Sequence, residues 1–200
     1  QIKSEAKLTG ILVDGKYSAE ANIGSDVEIT LNQTPFYAEG GGQLSDGGFI
    51  KLSNGAVIEV EDVQTPVPGL IVHRGNLISG SIKLGDEVLA EIDLERRMAI
   101  SRAHTATHMV HKAFREALGE TATQAGSENS PGRFRFDFPA TSAVPASVMN
   151  EVENRVNESL IADLEVQAEV MSQAQAKAMG AIALFGEKYG DEVRVVSVGD

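Results

Sequence analysis

Two histidines stand four residues apart in the segment Ser101-Arg102-Ala103-His104-Thr105-Ala106-Thr107-His108-Met109-Val110-His111. On a helix, side chains at i and i+4 lie one above the other on the same face. Imidazoles placed this way can share one divalent metal. Zinc proteases use the same spacing, with a glutamate general base directly after the first histidine. Thr105 holds that position here, so a metal on this pair would serve a different reaction. His111 lies one turn beyond His108 on nearly the same face. It can be read as a third ligand, or as a packing or supporting group. Partly buried surface histidines are the plain alternative for the whole set.

Other chemically capable residues lie on either side. Upstream is Thr34-Pro35-Phe36-Tyr37-Ala38-Glu39-Gly40-Gly41-Gly42-Gln43. Its glycines let the backbone take positive φ or approach a ligand closely, or simply join two strands tightly. The run lacks the GxxxxGK[ST] spacing of a phosphate loop. Glu39 can orient a water or pair with an arginine. Downstream is Gly132-Arg133-Phe134-Arg135-Phe136-Asp137-Phe138. Alternation puts Arg133, Arg135 and Asp137 on one face of a strand, which is either a solvated sheet face or a contact for phosphates and bases. No Ser-His-Asp arrangement stands out, so no covalent mechanism is expected. His73 falls among strands and reads as structural.

The elements that must hold these residues change character near Leu94. Before it, short alternating or β-branched runs recur at 7–13, 27–33, 56–64, 69–73 and 87–93. Turn signals separate them at Asp14-Gly15, Ser45-Asp46-Gly47-Gly48, Asn54-Gly55 and Leu84-Gly85-Asp86, with Pro66 and Pro68 punctuating a loop. Strands at this spacing predict a small barrel. From Leu94 to Leu118 apolar residues recur at helical intervals, and Gly119 is a stop. A strand around Phe134–Phe138, a helix over 145–161, a strand over 164–170, a short helix from Ser172 and a closing strand over 193–198 follow. The expected class is α+β: a β-barrel subdomain over 1–93, then a two-layer core of helix and antiparallel sheet over 94–200.

Composition narrows the function. The chain has 200 residues, 42% of them hydrophobic, enough to bury a core. No apolar run approaches the ~20 residues that span a bilayer, and the start has no secretory pattern. With no cysteine there is no disulfide framework, and a cytoplasmic reading follows. Gln1 in place of methionine suggests a fragment or a processed chain. The net charge of -12 argues against indiscriminate nucleic-acid binding. The charge is uneven, however: residues 94–138 carry 7 basic and 5 acidic side chains, while both flanks are strongly acidic. A phosphate-bearing substrate would be drawn to that histidine-bearing segment, although ordinary surface arginine explains it equally well.

The three blocks, in this order, resemble the editing domain of bacterial alanyl-tRNA synthetases. The likeness runs nearly the whole chain, through Glu151–Asn157 and Ala183–Asp191. Free-standing alanyl-tRNA editing proteins and the threonyl-tRNA synthetase editing domain belong to the same wider group. The resemblance implies hydrolysis of the ester of seryl- or glycyl-tRNA(Ala), in a parent enzyme that attaches alanine to tRNA(Ala) with ATP and Mg2+ in a domain absent here. It assigns His104 and His108 to a Zn2+ ion. It places Gln43 and Thr34 at the substrate, with Thr34 sensing a serine hydroxyl, and Gly41, Gly42 and Glu39 in the pocket. Arg133 and Arg135 would meet the tRNA acceptor end. A cysteine and a further histidine, from a Cys-Gly-Gly-Thr-His segment following the closing strand, would complete the metal shell. This sequence ends before it, so the expectation is a chain largely free of zinc unless the metal is supplied in excess. A free-standing trans-editing deacylase and a non-catalytic tRNA-binding module are the alternatives.

Overall fold

The computed structural model describes residues 1–182 and 189–199. Their contacts divide into two compact units: residues 1–107 with 126–136, and residues 108–125 with 137–200.

The strands of a barrel make up most of the first unit. β1 (Lys3–Val13) is followed by β2 (Lys16–Tyr17), β3 (Glu20–Asn22) and β4 (Asp26–Leu31). Then come β5 (Gly48–Leu52), β6 (Val57–Val67), β7 (Leu70–Ser79), β8 (Ser81–Lys83) and β9 (Glu87–Ile92). The sheet order is β2-β1-β4-β7-β6-β5-β9, and β9 also pairs with β1. β1 serves two neighbours in turn. Its first half faces β9, from Lys3 opposite Glu91 to Lys7 opposite Glu87. Its second half faces β4, from Leu8 opposite Leu31 to Val13 opposite Val27. The six antiparallel strands β1, β4, β7, β6, β5 and β9 therefore close on themselves. β3 and β8 form a separate ribbon.

Alternation fixes which face goes inward. Ser4, Ala6 and Leu8 are buried at period two. A register shift between Leu8 and Gly10 resets the phase, so Ile11 is the next side chain buried. Leu8, Ile11, Ile29, Ile50, Ile58, Val63, Leu77 and Ile82 are all 1% exposed or less. Each such side chain contributes about 1.5–3 kcal/mol by leaving water. The five strands expected before Leu94 are present as β1, β4, β6, β7 and β9. Pro66, expected in a loop, lies inside β6 where the β6–β7 register shifts between Gln64 and Val67. A bulge is where a strand can accommodate a residue with no N–H.

After the barrel, α1 (Leu94–Leu118) starts in the first unit and ends in the second. Asp93 Oδ1 accepts from the Arg96 N–H at 2.9 Å and caps its start. Gly119, at φ 89, ends it as expected. β10 (Gly126–Ser130) pairs with β11 (Arg133–Asp137). α2 (Ala146–Ile161), β12 (Val166–Ser172), α3 (Gln173–Ala178) and β13 (Glu192–Val198) follow. Within the second unit Phe114 packs on Phe138 with ring centroids 4.8 Å apart. Arg155 joins α2 to the end of α1 through Glu116 at 2.7 Å. β12 and β13 pair antiparallel from Val166 opposite Val198 to Ser172 opposite Glu192. Ser172 starts α3 in a capping box with Gln175. The architecture is α+β. Residues 183–188 of the Ala183–Asp191 block lie outside the described residues.

His73 on β7 gives the barrel an acid limit. It is 1% exposed, and burial pushes its imidazole from the ordinary 6.5 down to about 4. The unfolded chain takes up this proton as pH falls through 6.5, the folded chain only near 4. Stability is therefore full above 6.5 and declines between 6.5 and about 4, by roughly 3 kcal/mol in all. Urea unfolding across that window should show the decline, and His73→Phe should remove this share of it.

Candidate active site

The segment between β4 and β5 carries Thr34, Glu39 and Gln43, and it is tied down at several points. The Lys7 N–H donates to Asn32 Oδ1 at 2.7 Å, and Gln33 Nε2 donates to the Glu5 carbonyl at 2.7 Å. Phe36 is buried and meets the His73 ring edge-on, with centroids 5.3 Å apart. Thr34 Oγ1 lies 2.8 Å from His73 Nε2 and accepts the Phe36 N–H at 3.1 Å. His73 is thus more than barrel filling: it holds one of the expected site residues.

The strongest tie is an ion pair. Asp46 is 1% exposed. Arg97, in the first turns of α1, meets it with Nε to Oδ1 at 2.8 Å and with Nη2 to Oδ2. Arg97 Nη2 also donates to the Pro35 carbonyl at 3.0 Å. The Tyr37 N–H donates to Asp46 Oδ2 at 2.7 Å. The Asp46 carboxylate raises the Arg97 guanidinium above its ordinary range, the effect outweighing partial burial. One fork–fork contact thereby fixes the loop against the first turns of α1.

The glycines make a tight turn. Gly40 and Gln43 exchange backbone hydrogen bonds at 3.1 and 3.0 Å, and Gly41 and Gly42 between them have φ 59 and 76. Two consecutive positive φ values are the signature of a mirror-image hairpin turn. The turn is clamped to β10: the Leu44 N–H donates to the Asn129 carbonyl, and the Asn129 N–H donates to the Gly42 carbonyl at 2.6 Å. Asn129 is fully buried, and its Oδ1 accepts from the Thr107 hydroxyl at 2.6 Å. This delivers Gln43 to α1, where Gln43 Oε1 lies 3.0 Å from His104 Nδ1. A carbonyl oxygen only accepts, so His104 Nδ1 carries a proton and donates it to Gln43.

His108 follows His104 by one turn of α1. Burial lowers its pKa, which favours the neutral form that a metal binds. His111 is 5% exposed; burial lowers its pKa first, then the Arg115 and His108 charges. Among the described residues, no group of three or more His, Cys, Asp or Glu is placed to hold a metal ion. His104 nevertheless meets one requirement of a ligand, since its second ring nitrogen is held by a neighbour.

The remaining expected residues sit apart from that contact. Glu39 accepts from Gln64 Nε2 at 2.7 Å, so its carboxylate is engaged by an amide. Arg133 and Arg135 are both exposed on β11, and Arg135 faces Glu128 at 3.5 Å. Four contributors escaped the sequence reading: Asp46, Arg97, Thr107 and Asn129. Each lies within two residues of a glycine, a histidine or a turn already singled out, or pairs with one. Their partners are distant in sequence, and no local spacing marks them.

Two substitutions test this arrangement. Arg97→Ala leaves a buried carboxylate without its counter-charge and should destabilise the chain by about 3–5 kcal/mol in urea unfolding. Gly42→Ala adds a Cβ against Ser127 at a positive φ. It should cost roughly 1–3 kcal/mol and shift the Gln43 and His104 resonances.

Comparison with known proteins finds relatives along the whole chain. The family described as tRNA synthetases class II (A) matches residues 1–96. An alanine–tRNA ligase of a Nocardioides species is 65% identical over 199 residues, covering 100% of this chain and 22% of that protein. The alanine–tRNA ligase of Acidothermus cellulolyticus is 63% identical over 98% of the chain and 22% of its own length. That of Streptomyces avermitilis is 58% identical over 100% of the chain, again 22% of its own length. The chain thus spans about a fifth of the length of each relative, and from end to end it is similar to that stretch of these alanine–tRNA ligases.

Proposed function

We propose that this chain is the part of an alanine–tRNA ligase that hydrolyses seryl- or glycyl-tRNA(Ala), acting in the cytoplasm. The observation that carries the reading is the meeting of Gln43 with His104 at 3.0 Å. It joins the glycine turn to the paired-histidine helix in a chain 65% identical to an alanine–tRNA ligase. The physical need for such a site is plain. An apolar synthesis pocket gains little by rejecting one added hydroxyl or one missing methyl. A second site with polar groups placed for that hydroxyl discriminates well, because alanine leaves them unpaired.

Each residue then has a task. His104 and His108 would hold a Zn2+ ion, with further ligands from a Cys-Gly-Gly-Thr-His segment of the longer protein. When bound, that ion polarises the ester carbonyl or activates a water. Gln43 holds His104 through Nδ1, which would leave Nε2 to face the metal. Thr34 meets the serine hydroxyl, and the backbone of Gly41 and Gly42 gives a close wall. Arg133 and Arg135 bind phosphates of the acceptor end.

The test uses the full-length ligase bearing this segment. Gln43→Ala should lower zinc content or seryl-tRNA(Ala) hydrolysis roughly 10- to 100-fold while aminoacylation with alanine persists. His104→Ala should abolish both hydrolysis and zinc binding. Unchanged hydrolysis in both variants would defeat the proposal. A zinc-loaded parent that never hydrolyses the ester would point instead to a tRNA-binding module.

A further inference from the structure

Three atoms in a row decide which way the Thr34 hydroxyl points. His73 Nδ1 lies 3.2 Å from the Ile29 carbonyl oxygen. A carbonyl only accepts, so Nδ1 carries the proton. His73 Nε2 is then the acceptor, and Thr34 Oγ1 at 2.8 Å must donate to it. The same oxygen already accepts the Phe36 N–H at 3.1 Å. A hydroxyl has one proton and two lone pairs. The proton and one lone pair of Thr34 are therefore committed, and a single lone pair is left. Rotating the hydroxyl away would strip a buried imidazole nitrogen of its donor, which is costly. Thr34 itself is half-buried and His73 fully so. Phe36 against the imidazole edge holds the ring in place.

We infer that His73 is a positioning residue that makes Thr34 an obligate hydrogen-bond acceptor, so that the site responds to a donor such as the aliphatic hydroxyl of a seryl ester. This rests on the deacylase reading of the site and specifies its selectivity. A hydroxyl free to rotate would accept from a donor and donate to an acceptor alike. A hydroxyl oriented by His73 rewards only the donor, and a methyl group or a carbonyl oxygen gains nothing there. Burial keeps the imidazole neutral down to about pH 4, so the orientation holds throughout the neutral range.

The experiment measures kcat/KM of the full-length ligase for seryl- and alanyl-tRNA(Ala) hydrolysis. His73→Phe keeps a ring but removes the acceptor. It should lower the seryl-to-alanyl ratio roughly tenfold, close to the loss in Thr34→Val. His73→Gln, which restores a carbonyl acceptor, should recover part of the ratio. A purely structural role would depress both substrates equally and leave the ratio alone. Should His73→Phe fold poorly, histidine-labelled chain of residues 1–200 gives a second readout by nitrogen NMR. His73 should be protonated on Nδ1 only, with Thr34→Val shifting Nε2. A proton on Nε2, or an Nε2 signal indifferent to Thr34→Val, overturns the inference. A ratio that collapses in Thr34→Val but survives in His73→Phe overturns it alone. A ratio indifferent to Thr34→Val overturns it together with the deacylase reading of that residue.

Discussion

Asp46 is a carboxylate taken out of water, and the site is arranged around that expense. A buried charge is tolerable only when its oxygens are fully engaged. Here Arg97 takes both, and the Tyr37 N–H adds a third bond. The donors come from different places in the chain: the arginine from the start of α1, the amide from the loop that ends in the glycine turn. Neither the helix nor the loop can move far without exposing an unpaired ion in an apolar surround. The first turns of α1 are thereby tied to the wall of the barrel.

The same economy recurs on a smaller scale in the imidazoles. His73 and His104 each have one ring nitrogen assigned by a carbonyl oxygen, from Ile29 and Gln43 respectively. At His73, which burial keeps neutral, the opposite nitrogen keeps its lone pair. That lone pair faces the Thr34 hydroxyl. A neutral ring with a fixed tautomer is a directional device, and the fold obtains one at His73 from an ordinary backbone acceptor.

Much of this was readable in advance, for identifiable reasons. α1 runs over the very span its apolar spacing predicts because Asp93 and Gly119 bound it chemically. α3 is announced by Ser172 and Gln175, a purely local signal. β10 was not legible: Gly126-Ser127-Glu128-Asn129-Ser130 has no apolar alternation, and its strand form depends on partners supplied by the glycine turn and β11. β5 was hidden behind a glycine pair that read as a turn. In the site, the histidines, the glycines and Gln43 stood out by type and spacing. Asp46 and Arg97 did not, because two charges 51 residues apart look like solvated surface until the fold joins them.

β1 has a further consequence, in time rather than in space. Its first half has no strand to pair with until β9 exists, and β9 is the last strand of the barrel. On a ribosome the amino-terminal strand is made early and must wait for nearly the whole unit to emerge before the cylinder can shut. The helix bearing His104 follows β9 directly, so its first turn appears just as the ring becomes able to close. Closure and the seating of Arg97 on Asp46 thus fall together at the end of assembly. In a nascent chain the barrel wall and the first turn of the helix set against it become available within a few residues of each other.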